Sequence, residues 1–219
     1  CGGLNINIGT LNKNTIPSMF LAGKKANALG HIVLLDPVGA GASRLRTDTA
    51  NRLMQEVRFD AVRGNISEIK TLCTGSGSTK GVDADAVDAV TEANLDDGVQ
   101  LVKAFAQKTG CIVAVTGAID LVSDGERCWC IRNGRAEMSR ITGTGCQLSA
   151  LMTAFLVANP DRKLDAAAAA VCMMGLAGEI GWANMQPGDG NSTYRNRIID
   201  AIFNMTGDAL EEGAKYELR

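Results

Sequence analysis

Short apolar runs alternate with longer amphipathic stretches through the first half of this chain. Residues 4–8 (LNINI), 32–35 (IVLL), 59–62 (FDAV) and 111–115 (CIVAV) have the length and side-chain character of strands. Between them, apolar positions recur at intervals of three and four, which predicts helices over about 18–29, 48–57, 65–72 and 97–108. Such strand–helix alternation predicts an α/β fold, with a mostly parallel sheet and helices on both faces. DLVSDG (120–125) and RCWCIRNG (127–134) then predict an antiparallel hairpin at the sheet edge. Beyond Gly145 the pattern is helical, over 146–158, 165–183 and about 193–212. The run at 166–178 is apolar on every side and shorter than the roughly 20 residues of a membrane span, so it predicts a core helix. CTGSGSTKG, 73–81, predicts a flexible loop and not a domain boundary.

Composition narrows the class. With 219 residues, 46% of them hydrophobic, the chain suffices for a single domain, 1–219, with a buried core. A net charge of −2 and scattered Lys and Arg predict neither a nucleic-acid partner nor attraction to a membrane surface. Seven cysteines, an odd number, predict reduced thiols and a cytoplasmic protein. Cys128 and Cys130 fall on one face of a strand, where packing is expected before zinc ligation. His31 is the only histidine and is expected in a loop before a strand, so a Ser-His-Asp or Cys-His pair is hard to assemble.

The chemically interesting residues cluster at strand C-termini, the edge where open parallel sheets bind ligands. In DPVGAGAS (36–43), Asp36 ends a strand; it is either an exposed turn residue or a buried carboxylate suited to magnesium, directly or through water. In RGNISEI (63–69), Asn65 and Glu68 have the spacing of a capping box. Arg63 has no such duty and is placed to fork onto phosphate oxygens, with Glu68 then facing the metal around them. Thr116 and Gly117 follow another strand and suit either a phosphate contact or a turn. In ITGTGCQLSA (141–150), Gly143, Thr144 and Gly145 form a tight turn whose free N–H groups open a helix and can hold an anion. Cys146 follows at once, either as a small packed residue or as a polar contact to a substrate.

LNINIGTL, DPVGAGAS, VRGNISEI, VAVTGAIDLVSDG and RITGTGCQLSA, in this order, closely resemble the hydroxyethylthiazole kinase family of the ribokinase-like superfamily. Cys146 stands where most relatives in that superfamily keep an Asp. The resemblance implies a ribokinase-like three-layer fold and transfer of the γ-phosphoryl group of ATP, with Mg2+, to the alcohol of 4-methyl-5-(2-hydroxyethyl)thiazole in thiamine salvage. It implies that Arg63 and Thr116 contact the nucleotide, Asp36 and Glu68 organise magnesium, and Gly143 lies against the thiazole. Cys146 would face the substrate hydroxyl, beside an anion hole built from the N–H groups of Thr144, Gly145 and Cys146. It also implies a cytoplasmic homotrimer with sites between subunits, and a further N-terminal strand and helix, so that this sequence is expected to be part of a longer protein. Three alternatives stay open: a related kinase acting on hydroxymethylpyrimidine, pyridoxal or a sugar; a nucleotide-dependent NAD(P)H-hydrate dehydratase; and a non-catalytic nucleotide-binding module.

Overall fold

Among the described residues, seven strands lie side by side in chain order, β1 (Gly3–Asn7), β2 (Ile32–Asp36), β3 (Ala61–Asn65), β4 (Ile112–Thr116), β5 (Asp120–Ser123), β6 (Cys128–Ile131) and β7 (Tyr216–Leu218). The computed structural model describes residues 1–75 and 89–219; most of the loop expected at 73–81 lies outside the described residues. β1 to β4 run parallel, whereas β5, β6 and β7 pair antiparallel. The hairpin is therefore as expected, but β7 pairs outside it and takes the edge position. β2 is buried along its whole length, as a strand covered on both faces must be.

The period-2 alternation of the strands divides the interior into two cores. Ile6, Val33, Leu35, Val62, Val113 and Val115 face α1 (Thr15–Ala28), α2 (Arg44–Glu56), α3 (Ile66–Thr74) and α4 (Leu95–Thr109). Ile32, Leu34, Ala61, Ile112 and Ala114 face α5 (Thr144–Ala158), α6 (Lys163–Ala183) and α7 (Asn191–Asn204). Cys128 and Cys130 are both buried in the first of these cores, as small packed residues. α6, at 21 residues, is long and apolar enough to cross a bilayer by length and composition, but two-thirds of that span is buried inside the fold. The single helix expected at about 193–212 is two, α7 and α8 (Gly207–Gly213), because Met205 is extended and Thr206 caps the second by accepting the Ala209 N–H.

Register fixes where the polar strand ends meet. Asn7 lies beside Asp36 across β1 and β2, and Asn65 beside Thr116 across β3 and β4. Continuing the alternation beyond the apolar residues puts Asn7, Asp36, Arg63 and Thr116 on the face covered by α5.

Candidate active site

The C-terminal ends of β1 to β4 and the first turn of α5 converge on one cluster. Gly143 precedes α5 with φ +95°, in the left-handed region that glycine tolerates without a Cβ clash. The first hydrogen bond of the helix runs from the Gln147 N–H to the Gly143 carbonyl, so the N–H groups of Thr144, Gly145 and Cys146 precede the ladder.

Arg63 is pressed against that helix start. A Cβ built on Gly145 would lie 2.5 Å from the Arg63 Nη1, so glycine is what allows the guanidinium to approach the backbone. Arg63 Nη2 donates to Thr116 Oγ1 at 2.5 Å, and Nη1 stands 3.8 Å from Asp36 Oδ1. A cation beside the positive end of a helix dipole is electrostatically unfavourable unless negative charge sits between or beside them. Asp36 supplies one such charge, and the geometry leaves the positive groups converging on a single locus.

Asp36 is fully buried, not an exposed turn residue. Its Oδ2 accepts from Asn7 Nδ2 at 2.8 Å and from Ser149 Oγ at 2.9 Å, while Oδ1 is buried with no hydrogen-bond partner. Burial raises its pKa above the ordinary carboxylate value; Arg63, Ser149, Asn7 and the Cys146 thiol pull the other way. Glu68 is also buried and completes the expected capping box: its own N–H donates to Asn65 Oδ1, and its Oε2 accepts the Asn65 N–H. Its Oε1 accepts the Gly39 N–H at 2.7 Å, tying the DPVGAGAS loop to the start of α3. Burial raises this carboxyl too, against those two N–H donors and Arg63.

Cys146 is exposed at the mouth of the cluster, and its Sγ accepts from Asn7 Nδ2 at 3.2 Å. The packed alternative for this thiol therefore does not hold. The structure brings Asp36, Arg63, Thr116, Gly145 and Cys146 together; Gly143 is the hinge into α5, and Glu68 supports the cluster from the loop side.

Sequence reasoning missed Asn7, Ser149 and Asp120. Ser149 lies one helical turn beyond Cys146, a spacing that could have indicated it. Asp120 begins β5, and its Oδ1 accepts the Gly117 N–H at 2.8 Å, which closes the turn after Thr116. Burial pushes its carboxyl up to about 7, opposed by the Gly117 N–H and Arg63. A carboxyl raised in the folded state binds more protons than in the unfolded chain, so its contribution to stability is lost as pH rises from about 4, its unfolded value, to about 7. Asp120→Asn is therefore expected to flatten the melting-temperature profile over that window and to melt higher than the parent at alkaline pH. Parallel profiles for parent and variant in thermal scans would assign the pH dependence elsewhere.

Comparison with known proteins bears on this geometry. The family model described as the hydroxyethylthiazole kinase family matches residues 1–208. The chain belongs to the hydroxyethylthiazole kinase family. It is 54% identical to a hydroxyethylthiazole kinase of Clostridium acetobutylicum, over 99% of this chain and 80% of that protein. It is 46% identical to one from Clostridium beijerinckii, over 98% and 76% respectively. A hydroxyethylthiazole kinase structure from Pyrococcus horikoshii superposes with a TM-score of 0.85 at 30% identity, covering all of this chain and 77% of that one. A pyridoxal kinase from Staphylococcus aureus shares the ribokinase-like fold, with a TM-score of 0.56 at 16% identity over all of this chain and 72% of that one. Among the described residues, no group of three or more His, Cys, Asp and Glu gathers as a self-sufficient metal site.

Proposed function

We infer that the chain is a kinase that moves the γ-phosphoryl group of ATP onto the primary alcohol of 4-methyl-5-(2-hydroxyethyl)thiazole, in thiamine salvage. Family membership and 54% identity to a hydroxyethylthiazole kinase support the reaction. One observation supports the chemistry at this site above others: Arg63 lies against the start of α5 at Gly145, with the Asp36 carboxylate across from it. Phosphoryl transfer consists mainly of positioning and charge neutralisation, and two positive groups converging on one locus suit a moving phosphoryl group.

In this account, Arg63 forks onto the phosphate oxygens while the Thr116 hydroxyl fixes its orientation, and the N–H groups of residues 144 to 146 receive the phosphoryl group in flight. The alcohol oxygen bonds to the γ-phosphorus as the bond to the bridging β,γ-oxygen breaks, ADP leaves, and the hydroxyl proton passes to solvent as the ester forms. Cys146 Sγ holds the hydroxyl in line. A loose transition state makes early proton removal less important, so a side chain that orients the hydroxyl without taking its proton is adequate there.

Magnesium fits the residues present. Mg2+ is usually held by one or two carboxylates together with substrate phosphates and waters, and Asp36 offers a buried oxygen with no hydrogen-bond partner. Asp36 would hold the ion or its water, with Glu68 behind it; the ion would neutralise charge on the phosphates. A cytoplasmic homotrimer with sites between subunits accords with the free thiols and with exposed Phe203 and Ile199 on α7. Ile199 joins Leu151, Met174 and Ile202 in an apolar groove beside Gln147, the residue after Cys146.

ADP release measured with the thiazole alcohol, hydroxymethylpyrimidine and pyridoxal as acceptors separates this function from its relatives: turnover is expected with the first and to vanish on chelation. Strong turnover of either other alcohol with none of the thiazole would contradict it. Cys146→Ala is expected to lose on the order of tenfold to a thousandfold in kcat with ATP affinity nearly intact, and Cys146→Asp to remain active. Parent-like turnover by Cys146→Ala in steady-state assays would take the thiol out of the reaction.

A further inference from the structure

We propose that Asn7 is a positioning residue that clamps Cys146 to the end of the sheet and so aims its thiol at the substrate hydroxyl. The proposal rests on the role given to Cys146 above, but its structural half can be tested separately.

A carboxamide has one acceptor oxygen and two N–H donors, and Asn7 commits both ends. Its Oδ1 accepts the Gly9 N–H at 2.8 Å, within the turn that leaves β1. Its Nδ2 donates to Asp36 Oδ2 at 2.8 Å and to Cys146 Sγ at 3.2 Å. These contacts tie three segments far apart in the chain: the exit of β1, the end of β2 and the first turn of α5. The orientation of the amide is fixed by chemistry. Turned over, it would set its oxygen against a carboxylate and its NH2 against an N–H donor. The turn itself is anchored from the far side, since the Gly9 carbonyl accepts from Arg46 Nη2 at 2.9 Å.

The nearest substitutes each fail one of these demands. Aspartate keeps the acceptor for Gly9 but loses the donor and places a second carboxylate beside Asp36. Glutamine is one methylene too long, and leucine leaves the Gly9 N–H without its acceptor and removes one of the two donors to Asp36 Oδ2. Asp36 retains Ser149 and Arg63 without Asn7, whereas the Cys146 thiol, among the described residues, would keep only its contact with the same Asp36 carboxylate. Loss of the amide should therefore be felt mainly at the thiol, an exposed side chain that a single remaining contact leaves more room to change rotamer.

Asn7→Ala is expected to lower kcat by about tenfold to a hundredfold, the scale of a misplaced reacting group, with KM for ATP nearly unchanged. Asn7→Asp should be worse. In a Cys146→Ala background the Asn7→Ala loss should largely disappear, because the group it positions is gone. Equal losses in both backgrounds would overturn the proposal. The second readout does not involve turnover: in protein carrying isotope-labelled cysteine, the Cys146 Cβ resonance, assigned by its absence from Cys146→Ala, should shift in Asn7→Ala toward a rotamer-averaged value. An unmoved resonance overturns the clamp whatever the substrate. A shifted resonance together with parent-like turnover by Cys146→Ala would leave the clamp standing and sink the catalytic role of the thiol. If Asn7→Ala does not fold, Asn7→Ser carries both measurements.

Discussion

Replacing Arg63 by alanine is expected to reduce kcat/KM by on the order of a thousandfold, the largest loss from any single side chain in the cluster. The guanidinium is placed directly against the start of α5, and its fork is oriented by Thr116. Arg63→Lys should recover little, because an ammonium cannot reproduce two parallel donors from a planar group. Removing the cation also leaves Asp36 without a charge that opposes the upward push of burial on its carboxyl. Steady-state kinetics together with calorimetric ATP binding check this: both affinity and turnover should fall. A variant that lost only thermal stability would show Arg63 to be a buried structural cation.

Asp36→Asn is expected to behave differently. Turnover should fall by about a hundredfold to a thousandfold, within the range of a lost transition-state charge contact. Affinity for ATP in the absence of magnesium should be unchanged or tighter, since a negative charge 3.8 Å from Arg63 is removed from the phosphate side of the site. The magnesium concentration needed for half-maximal rate should rise. Metal titrations of parent and variant decide this, and an unaltered magnesium dependence would take Asp36 out of the metal's surroundings.

The architecture was legible where burial governs residue choice. β2 and β4 are apolar almost throughout and were placed to within a residue at either end. β3 was expected over 59–62 but runs over Ala61–Asn65, because its last three residues are Arg63, Gly64 and Asn65. A strand that ends in polar site residues loses its apolar signature at the end that matters for chemistry. α2 begins four residues before the expected start at 48 because Ser43 caps it by accepting the Arg46 N–H. Its first turn carries an exposed arginine and an exposed leucine, which erase the helical period. β7 has three residues, two of them exposed, and is held by pairing with β6 and by the edge-on contact of Tyr216 with Trp129. Neither contact leaves a local mark.

The candidate site was legible through its motifs, which supplied Asp36, Arg63, Glu68, Thr116 and the turn from Gly143 to Cys146. Its internal bonding was not. The capping box of Asn65 and Glu68 follows from spacing within one segment, whereas Asn7 bonds to residues 29 and 139 positions away, and Ser149 reaches Asp36 over 113. Those partnerships depend on strand register and on where α5 docks. Asp120 escaped notice for a related reason: its carboxyl looks like an ordinary turn residue until burial raises it to about 7.

The central claim is that this chain joins the γ-phosphoryl group of ATP to the hydroxyl of the thiazole alcohol. It is tested most directly by incubating the protein with γ-labelled ATP, magnesium and that alcohol and identifying the labelled product by mass. The account predicts label in the phosphate monoester of the thiazole alcohol, formed by the parent, strongly reduced by Arg63→Ala and absent when magnesium is chelated. Label appearing only as inorganic phosphate, or no transfer from ATP at all by folded, nucleotide-bound protein, would contradict it.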